Sequence, residues 1–301
     1  MNNINQKYFD IPILLICFNR PSTTKEVLEK IKQLKPIELY IVCDGPRNSK
    51  DKKLVSEVRQ LIYKYVDWEC SIKKQFREEN FGCKKSVSEG ITWFFKHTTK
   101  GIILEDDCVP SLCFFDYCKQ MLSKYENDKR IFQISGSNLL GSFNTSDDII
   151  YSETGTIWGW ATWRDRWQEY DVDMQSFKLL KSDKIFLSAI KRLPGWRLRW
   201  KAFKATYENK NNTWDFQWIW ARFVNRGLIV IPKYNLIENI GEGAEATHTS
   251  GQIGYRIKAF ENVKFVNFPI HFHPNKTFEK KILKLKVFNA IKRRLNIWVK
   301  K

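Results

Sequence analysis

The sequence predicts an α/β protein with a mostly parallel central sheet flanked by helices and an amphipathic helix at its C-terminal end. Three observations carry this. Residues 11–18, 39–43 and 102–104 are continuous apolar runs without alternation, as suits strands covered on both faces. Segments of helical period separate them, and strand, helix and strand in close succession make a right-handed crossover. The last residues, 276–301, trace a single apolar stripe among basic side chains.

The first strand, 11–18, stops at Asn19-Arg20-Pro21, and Ser22 or Thr23 is placed to cap a helix through Leu34 with Val27, Leu28 and Ile31 on one face. Residues 39–43 form the next strand, closed by Asp44-Gly45-Pro46. A helix over 52–65, a strand over 70–76 and a helix over 84–95 return the chain to Gly101. There a short strand runs into three carboxylates, Glu105, Asp106 and Asp107, and stops at Pro110. Adjacent anions repel and lose solvation on burial, so such a run calls for a cation. Hard oxygen donors select Mg²⁺ or Mn²⁺ over zinc, and the carboxyl ends of parallel strands are where ligands bind in open α/β sheets. A solvated turn is the plainer alternative.

Beyond Pro110 the pattern is less regular, with a helix over 114–125, a strand over 131–135 and a strand over 228–231. Trp160, Trp163 and Trp167 recur at helical spacing and predict one packed helical face. Asp215 either caps the helix that follows it or faces a ligand. Glycines 241 and 243 suggest a covering loop over 239–249 that carries His248. His271 and His273 alternate on an expected strand but lack partners for a zinc site.

With 301 residues, 43% of them hydrophobic, the chain has material for one large core or two fused half-domains, and a disordered protein is excluded. Seven cysteines form an odd set without a Cys-x-x-Cys pair, which fits buried free thiols in a reducing compartment better than disulfides. No signal-like segment opens the chain and no run approaches membrane-spanning length, so a cytoplasmic body is expected. The net charge of +18 predicts anionic partners. Half of it lies in the stripe Phe278, Ile282, Leu285, Phe288, Ile291, Leu295 and Trp298 with its interleaved bases. That pattern predicts a peripheral tail on an anionic membrane surface, with packing against the body as the alternative.

Taken in order, residues 12–19, 41–46, 80–90, 105–110, 157–167 and 214–249 resemble a GT-A glycosyltransferase. The closer likeness is to bacterial family 2-type sugar transferases, with Glu105-Asp106-Asp107 as the DxD-type motif in the EDD form of inverting N-acetylglucosaminyltransferases. The resemblance implies a Rossmann-like domain over 1–275, with a nucleotide-sugar half over 1–110 and an acceptor half over 111–275. It implies Asp107 as metal ligand, Asp106 at the ribose or metal shell, Glu105 beside them, and a Mn²⁺ or Mg²⁺ cofactor. Asn19, Arg20, Asp44, Asn80 and Gly82 would meet the nucleotide, with Asp44 accepting from a uracil N–H. Lys84 and Lys85 would face the diphosphate, and His248 the metal or diphosphate. Trp158 and Trp160 would stack on the acceptor, and Asp215 would be the catalytic base. The implied partners are a UDP-sugar and a saccharide or lipid-linked saccharide. Two other classes compete: a nucleic-acid-binding protein, for which no recognition signature is found, and a sugar nucleotidyltransferase, whose Gly-rich Arg-Lys loop is replaced here by Phe18-Asn19-Arg20-Pro21.

Overall fold

A computed structural model describes residues 8–191, 195–241 and 256–299. The elements run β1 (Ile13–Cys17), α1 (Pro21–Leu34), β2 (Glu38–Cys43), α2 (Ser49–Tyr65), β3 (Ser71–Phe76), α3 (Gly82–His97), β4 (Lys100–Glu105) and β5 (Cys108–Pro110). They continue with α4 (Leu112–Lys124), β6 (Ile131–Ser135), β7 (Ile149–Ser152), β8 (Trp160–Trp163) and α5 (Arg164–Trp167). The chain closes with α6 (Gln175–Leu180), α7 (Lys184–Lys191), α8 (Trp196–Tyr207), α9 (Asp215–Val224), β9 (Leu228–Pro232), β10 (Ile237–Asn239) and α10 (Lys276–Val299).

Eight strands form one sheet in the order β3-β2-β1-β4-β8-β6-β9-β7, and β5 pairs with β10 in a small second sheet. The β3-β2-β1-β4 portion is parallel throughout, while β8 runs antiparallel to both β4 and β6. The expected mixed α/β fold with a Rossmann-like, mostly parallel sheet is therefore the observed one. In β1, β2 and β4 the apolar residues are buried on both faces, α1, α2 and α4 packing from one side and α3 and α9 from the other. The chain runs outward from β1 to β3 and then crosses back to β4, so the strand order reverses between β1 and β4. Cleft-forming loops lie at that reversal. Register sets Cys17 beside Cys43 and Ile16 beside Glu105, so three loops leave the sheet side by side.

The structure corrects several expectations. Residues 160–163 are a strand; pairing on both edges outweighs the helical spacing of the tryptophans. His271 and His273 lie outside any strand, both exposed. The seven cysteines are free thiols, but Cys70, Cys83 and Cys113 are only half-buried. The apolar stripe of the tail divides. Its steps of three outnumber its steps of four, so it falls behind a helix of 3.6 residues per turn and winds around the axis. Phe278 and Ile282 are buried against Phe143, Ile229 and Ile231, whereas Phe288 and Ile291 are 62% and 52% exposed. No helix among the described residues is long and apolar enough to cross a membrane.

Candidate active site

The loops after β1, β2 and β4 wall a cavity of about 340 Å³. Arg20, Asp44, Asn80, Gly82, Glu105, Asp106 and Asp107 line it from the sheet side, and Trp158, Asn212, Thr213, Trp214 and Asp215 close it from the second half of the chain. Nine of the fourteen expected site residues thus reach one cavity.

The acid run is partly neutralised from within. Arg20 leaves β1 and pairs with both Asp106 and Asp107, donating from Nη1 to Asp107 Oδ2 at 2.9 Å. The other oxygen of Asp106, a residue only 3% exposed, accepts the Phe18 N–H at 3.1 Å. These carboxylates hold the Arg20 guanidinium well above its ordinary range despite its own burial. Asp107 is tied through its backbone, where the Ile240 N–H donates to its carbonyl at 2.8 Å. Glu105 differs: its Oε1 is buried without a hydrogen-bond partner. Loss of solvation, with Asp107 and Asp106 adding repulsion, pushes its carboxyl up to about 8 against the opposing pull of Arg20.

Asp44 is spent on architecture. Oδ1 accepts N–H groups of Gly45 and Phe81, and Oδ2 accepts those of Gly82 and Asn80 Nδ2, all between 3.0 and 3.1 Å. Four donors fill a carboxylate's lone pairs, so the expected acceptance of a uracil N–H does not fit this placement. The carboxylate instead ties the loop before α3 to the end of β2. Gly45 is required here because a Cβ would stand 2.4 Å from the Glu79 backbone, and Gly82 because its φ is +76°.

Four further expectations miss the cavity. Asn19 donates to Asp51 at 2.7 Å. Lys84 and Lys85 line a separate cavity with Lys96, Trp93 and Tyr170; Lys84 binds Asn209 at 2.9 Å, and Lys85 lies over the Phe81 ring. Trp160 is fully buried, its ring 5.9 Å from Trp214 and 5.5 Å from Trp218, and offers no face to a sugar. His248 lies outside the described residues.

Asp215 opens α9 and its Oδ1 accepts the Thr213 hydroxyl. Its charge is felt at Glu105, so the two walls face each other electrostatically. Arg47, Cys83, Asn212 and Asn239 also line the cavity and were not singled out in the sequence. Arg47 is held by Asp51, with Nε donating at 2.6 Å, and stacks over Phe18. An Asn-rich stretch at 209–212 was the only signal for Asn212.

For a divalent cation the donor set is chemically apt: hard oxygens, an orphaned buried Glu105 Oε1, and an Asp107 side chain that keeps 16% of its surface open. Among the described residues no three His, Cys, Asp or Glu side chains form a ready-made metal cluster. That fits an ion held by one or two carboxylates and completed by phosphate and water.

No protein-family model matches the chain, and no curated protein matches it. Among solved structures, a UDP-glucose pyrophosphorylase complexed with UDP-glucose is similar at 10% identity and a TM-score of 0.39, over 77% of this chain and 94% of that one. HddC from Yersinia pseudotuberculosis is similar at 12% identity and a TM-score of 0.36, over 58% and 86%. The 4-diphosphocytidyl-2C-methyl-D-erythritol synthase from Anaerococcus prevotii DSM 20548 gives 11% and 0.32, over 57% and 84%. At these values the ground for arguing function is the cavity itself.

Proposed function

We propose that this chain is a glycosyltransferase that takes a sugar from a nucleotide-diphosphate donor, a UDP-sugar in the first instance, and passes it to a saccharide or lipid-linked saccharide hydroxyl. The observation that carries the reading is the charge of the cavity wall, where the carboxylates of Asp44, Asp106, Asp107 and Asp215, beside the protonated carboxyl of Glu105, outnumber the two guanidinium groups of Arg20 and Arg47. A sugar nucleotidyltransferase must hold a nucleoside triphosphate and a sugar phosphate together, and so acidic a wall repels that pair. Sugar transfer sets one diphosphate against that wall and an acceptor hydroxyl against Asp215, and it needs a carboxylate to take the hydroxyl's proton.

In this reading Asp215 Oδ2 accepts the acceptor proton while Thr213 orients the carboxylate through Oδ1. Trp158, on the same wall, gives the acceptor sugar a stacking face. Arg20, Arg47 and the loop of Asn80 and Gly82 hold the nucleotide. A divalent cation on Asp107, with Asp106 beside it, supplies Lewis-acid neutralisation of the departing diphosphate when bound. Attack from the Asp215 wall, opposite the diphosphate, accords with inversion at the sugar carbon. The exposed Phe288 and Ile291 beside Lys284 and Lys292 support a weak interfacial contact with an anionic membrane.

The test is a pair of assays on the purified chain. UDP, GDP or dTDP with Mn²⁺ should raise Tm by mass action, and the matching sugar nucleotide should release its diphosphate only with acceptor and metal. Formation of labelled nucleoside triphosphate and sugar 1-phosphate from the sugar nucleotide and labelled pyrophosphate, without transfer to a hydroxyl, would replace this reading with the nucleotidyltransferase one.

A further inference from the structure

Behind the acceptor wall, outside the residues that line the cavity, lies a second group of charges that the mechanism above leaves unused. Arg222 on α9 is 2% exposed, yet its Nε has no partner, and among the described residues no side-chain hydrogen bond or ion pair reaches its guanidinium. Buried arginines are ordinarily paired, because an uncompensated charge in a protein interior costs several kcal/mol. The surroundings add to the cost. Arg199 of α8 lies close enough to repel it, and burial with that repulsion pushes Arg222 down to about 9, still charged at neutral pH. Lys286 of α10 reaches the same group: loss of solvation at its ammonium, with repulsion from Arg199 and Arg222 against the pull of Asp215, pushes it down to about 8, although the residue as a whole is exposed. Asn289, one turn further along α10, is 5% exposed with Nδ2 unpartnered. The Arg199 charge is offset by Glu279 and Glu153.

The position of Arg222 on its helix relates this group to the cavity. Trp218 and Ala221 face the sheet-side core, while Phe216, Trp220 and Phe223 face the cluster formed with α6 to α8. Asp215 and Arg222 are two turns apart and fall on the seam between those faces, in line along the axis, with about 10 Å of helix between them. The packing of Gly195, at the start of α8, against Leu283 brings α10 onto the same corner.

We propose that Arg222, flanked by Arg199 and Lys286, seats a phosphate group of the acceptor, so that the substrate is an anionic glycosyl phosphate whose hydroxyl lies at Asp215. Guanidinium groups bind phosphate bidentately, and a sugar ring with its phosphate spans a distance of the order separating the two residues. The phosphate is the missing partner of Arg222, and Lys286 stands where it would enter from solvent. This deepens the transferase reading and rests on it for the identity of the acceptor; the anion seat itself does not require turnover.

The experiment measures Tm in metal-free, phosphate-free buffer for wild type, Arg222→Met and Lys286→Gln, then adds inorganic phosphate. A residue kept for structure lowers Tm when removed. Here Arg222→Met is expected to raise it by about 3 °C, phosphate is expected to raise the wild-type Tm by a similar amount and leave Arg222→Met unmoved, and Lys286→Gln should need several-fold more phosphate at unchanged starting Tm. UDP with Mn²⁺ should shift all three equally, so loss of that shift condemns the donor site and loss of the phosphate shift condemns only the anion seat. Phosphatidylcholine vesicles doped with phosphatidic acid identify the source: an Arg222-dependent gain in binding over pure phosphatidylcholine assigns a lipid-borne phosphate, and equal binding with an Arg222-dependent response to free phosphate assigns a soluble one. A lower Tm for Arg222→Met, or phosphate shifts alike in wild type and both variants, overturns the proposal.

Discussion

The two sides of the cavity hold their buried charges differently. On the sheet wall the anions of Asp106 and Asp107 are answered by Arg20 from the neighbouring strand end. Behind the helical wall Arg222 is buried, and among the described residues its Nε has no partner. A compensated charge holds a fold together, while an uncompensated one reserves room for something the chain does not contain. Glu105 belongs with Arg222 in this respect, although it sits in the same run as the compensated acids. Changes at Arg20 and Asp106, which also meet the proposed donor, should therefore cost stability, whereas changes at Glu105, Asp215 and Arg222 should act on function first.

The largest effect expected from this contrast is catalytic. Asp215→Asn keeps the shape of the acceptor wall and the Thr213 contact but removes the carboxylate, so transfer should fall by about 10²–10⁴-fold with donor binding, read from the UDP shift in Tm, unchanged. Near-normal kcat in this variant would move the base elsewhere and break the assignment of roles to the two walls. Next comes Asp106→Asn. It takes one partner from a buried pair and leaves Arg20 with Asp107 alone, which should cost about 3–5 kcal/mol, read by urea unfolding. If the loss is below about 1 kcal/mol, the pair behaves as a surface contact and the distinction between compensated and reserved charges fails at its stable end.

How far the sequence revealed this follows from which contacts are local. The strands β1, β2 and β4 declare themselves because each is a short unbroken run of β-branched and other apolar residues, and their carboxyl ends place Asp44 and Glu105 at the cavity without further information. Strand β8 was concealed because Trp160, Trp163 and Trp167 mimic a helix face, and only pairing with β4 and β6, which are remote in the sequence, fixes it as extended. The pairing of Arg20 with Asp106 spans 86 residues, so a reading that finds three acids together infers a metal before it can see a resident guanidinium. Lys84 and Lys85 were misread for a similar reason: a helix start can turn its side chains to either face of the sheet, and these face Asn209 and Phe81. Isolation such as that of Arg222 cannot be read from sequence at all, since it consists of contacts not made.

A smaller effect sharpens the same comparison through pH. With its carboxyl raised from the ordinary 4.5 to about 8, Glu105 keeps its proton in the folded protein while the unfolded chain releases it. The folded state then binds more protons than the unfolded one between pH 4.5 and 8, and stability falls as pH rises through that window. Glu105→Gln removes this dependence, so in chelator-treated protein its Tm should change less between those two values than that of wild type. Parallel curves would mean that Glu105 is charged in the fold and compensated like its neighbours.

The smallest effect concerns the tail, where the winding of the apolar stripe separates two roles along one helix. Phe278 and Ile282 serve the core, so changing them perturbs the fold. Phe288 and Ile291 have left the buried face, so the double substitution Phe288→Ser with Ile291→Ser should leave the unfolding free energy within the range of surface changes, about ±0.5 kcal/mol, and Tm nearly unmoved. Affinity for vesicles containing anionic lipid should nonetheless drop several-fold, because each residue removes apolar area that would enter the headgroup boundary while the neighbouring lysines stay in place. Sedimentation with vesicles at two salt concentrations separates the contributions: the lysines account for the salt-sensitive part and the two apolar residues for the remainder. Unchanged vesicle binding in the double variant would assign the contact to charge alone, and a large fall in Tm would show that the outer stripe, like the inner one, belongs to the body.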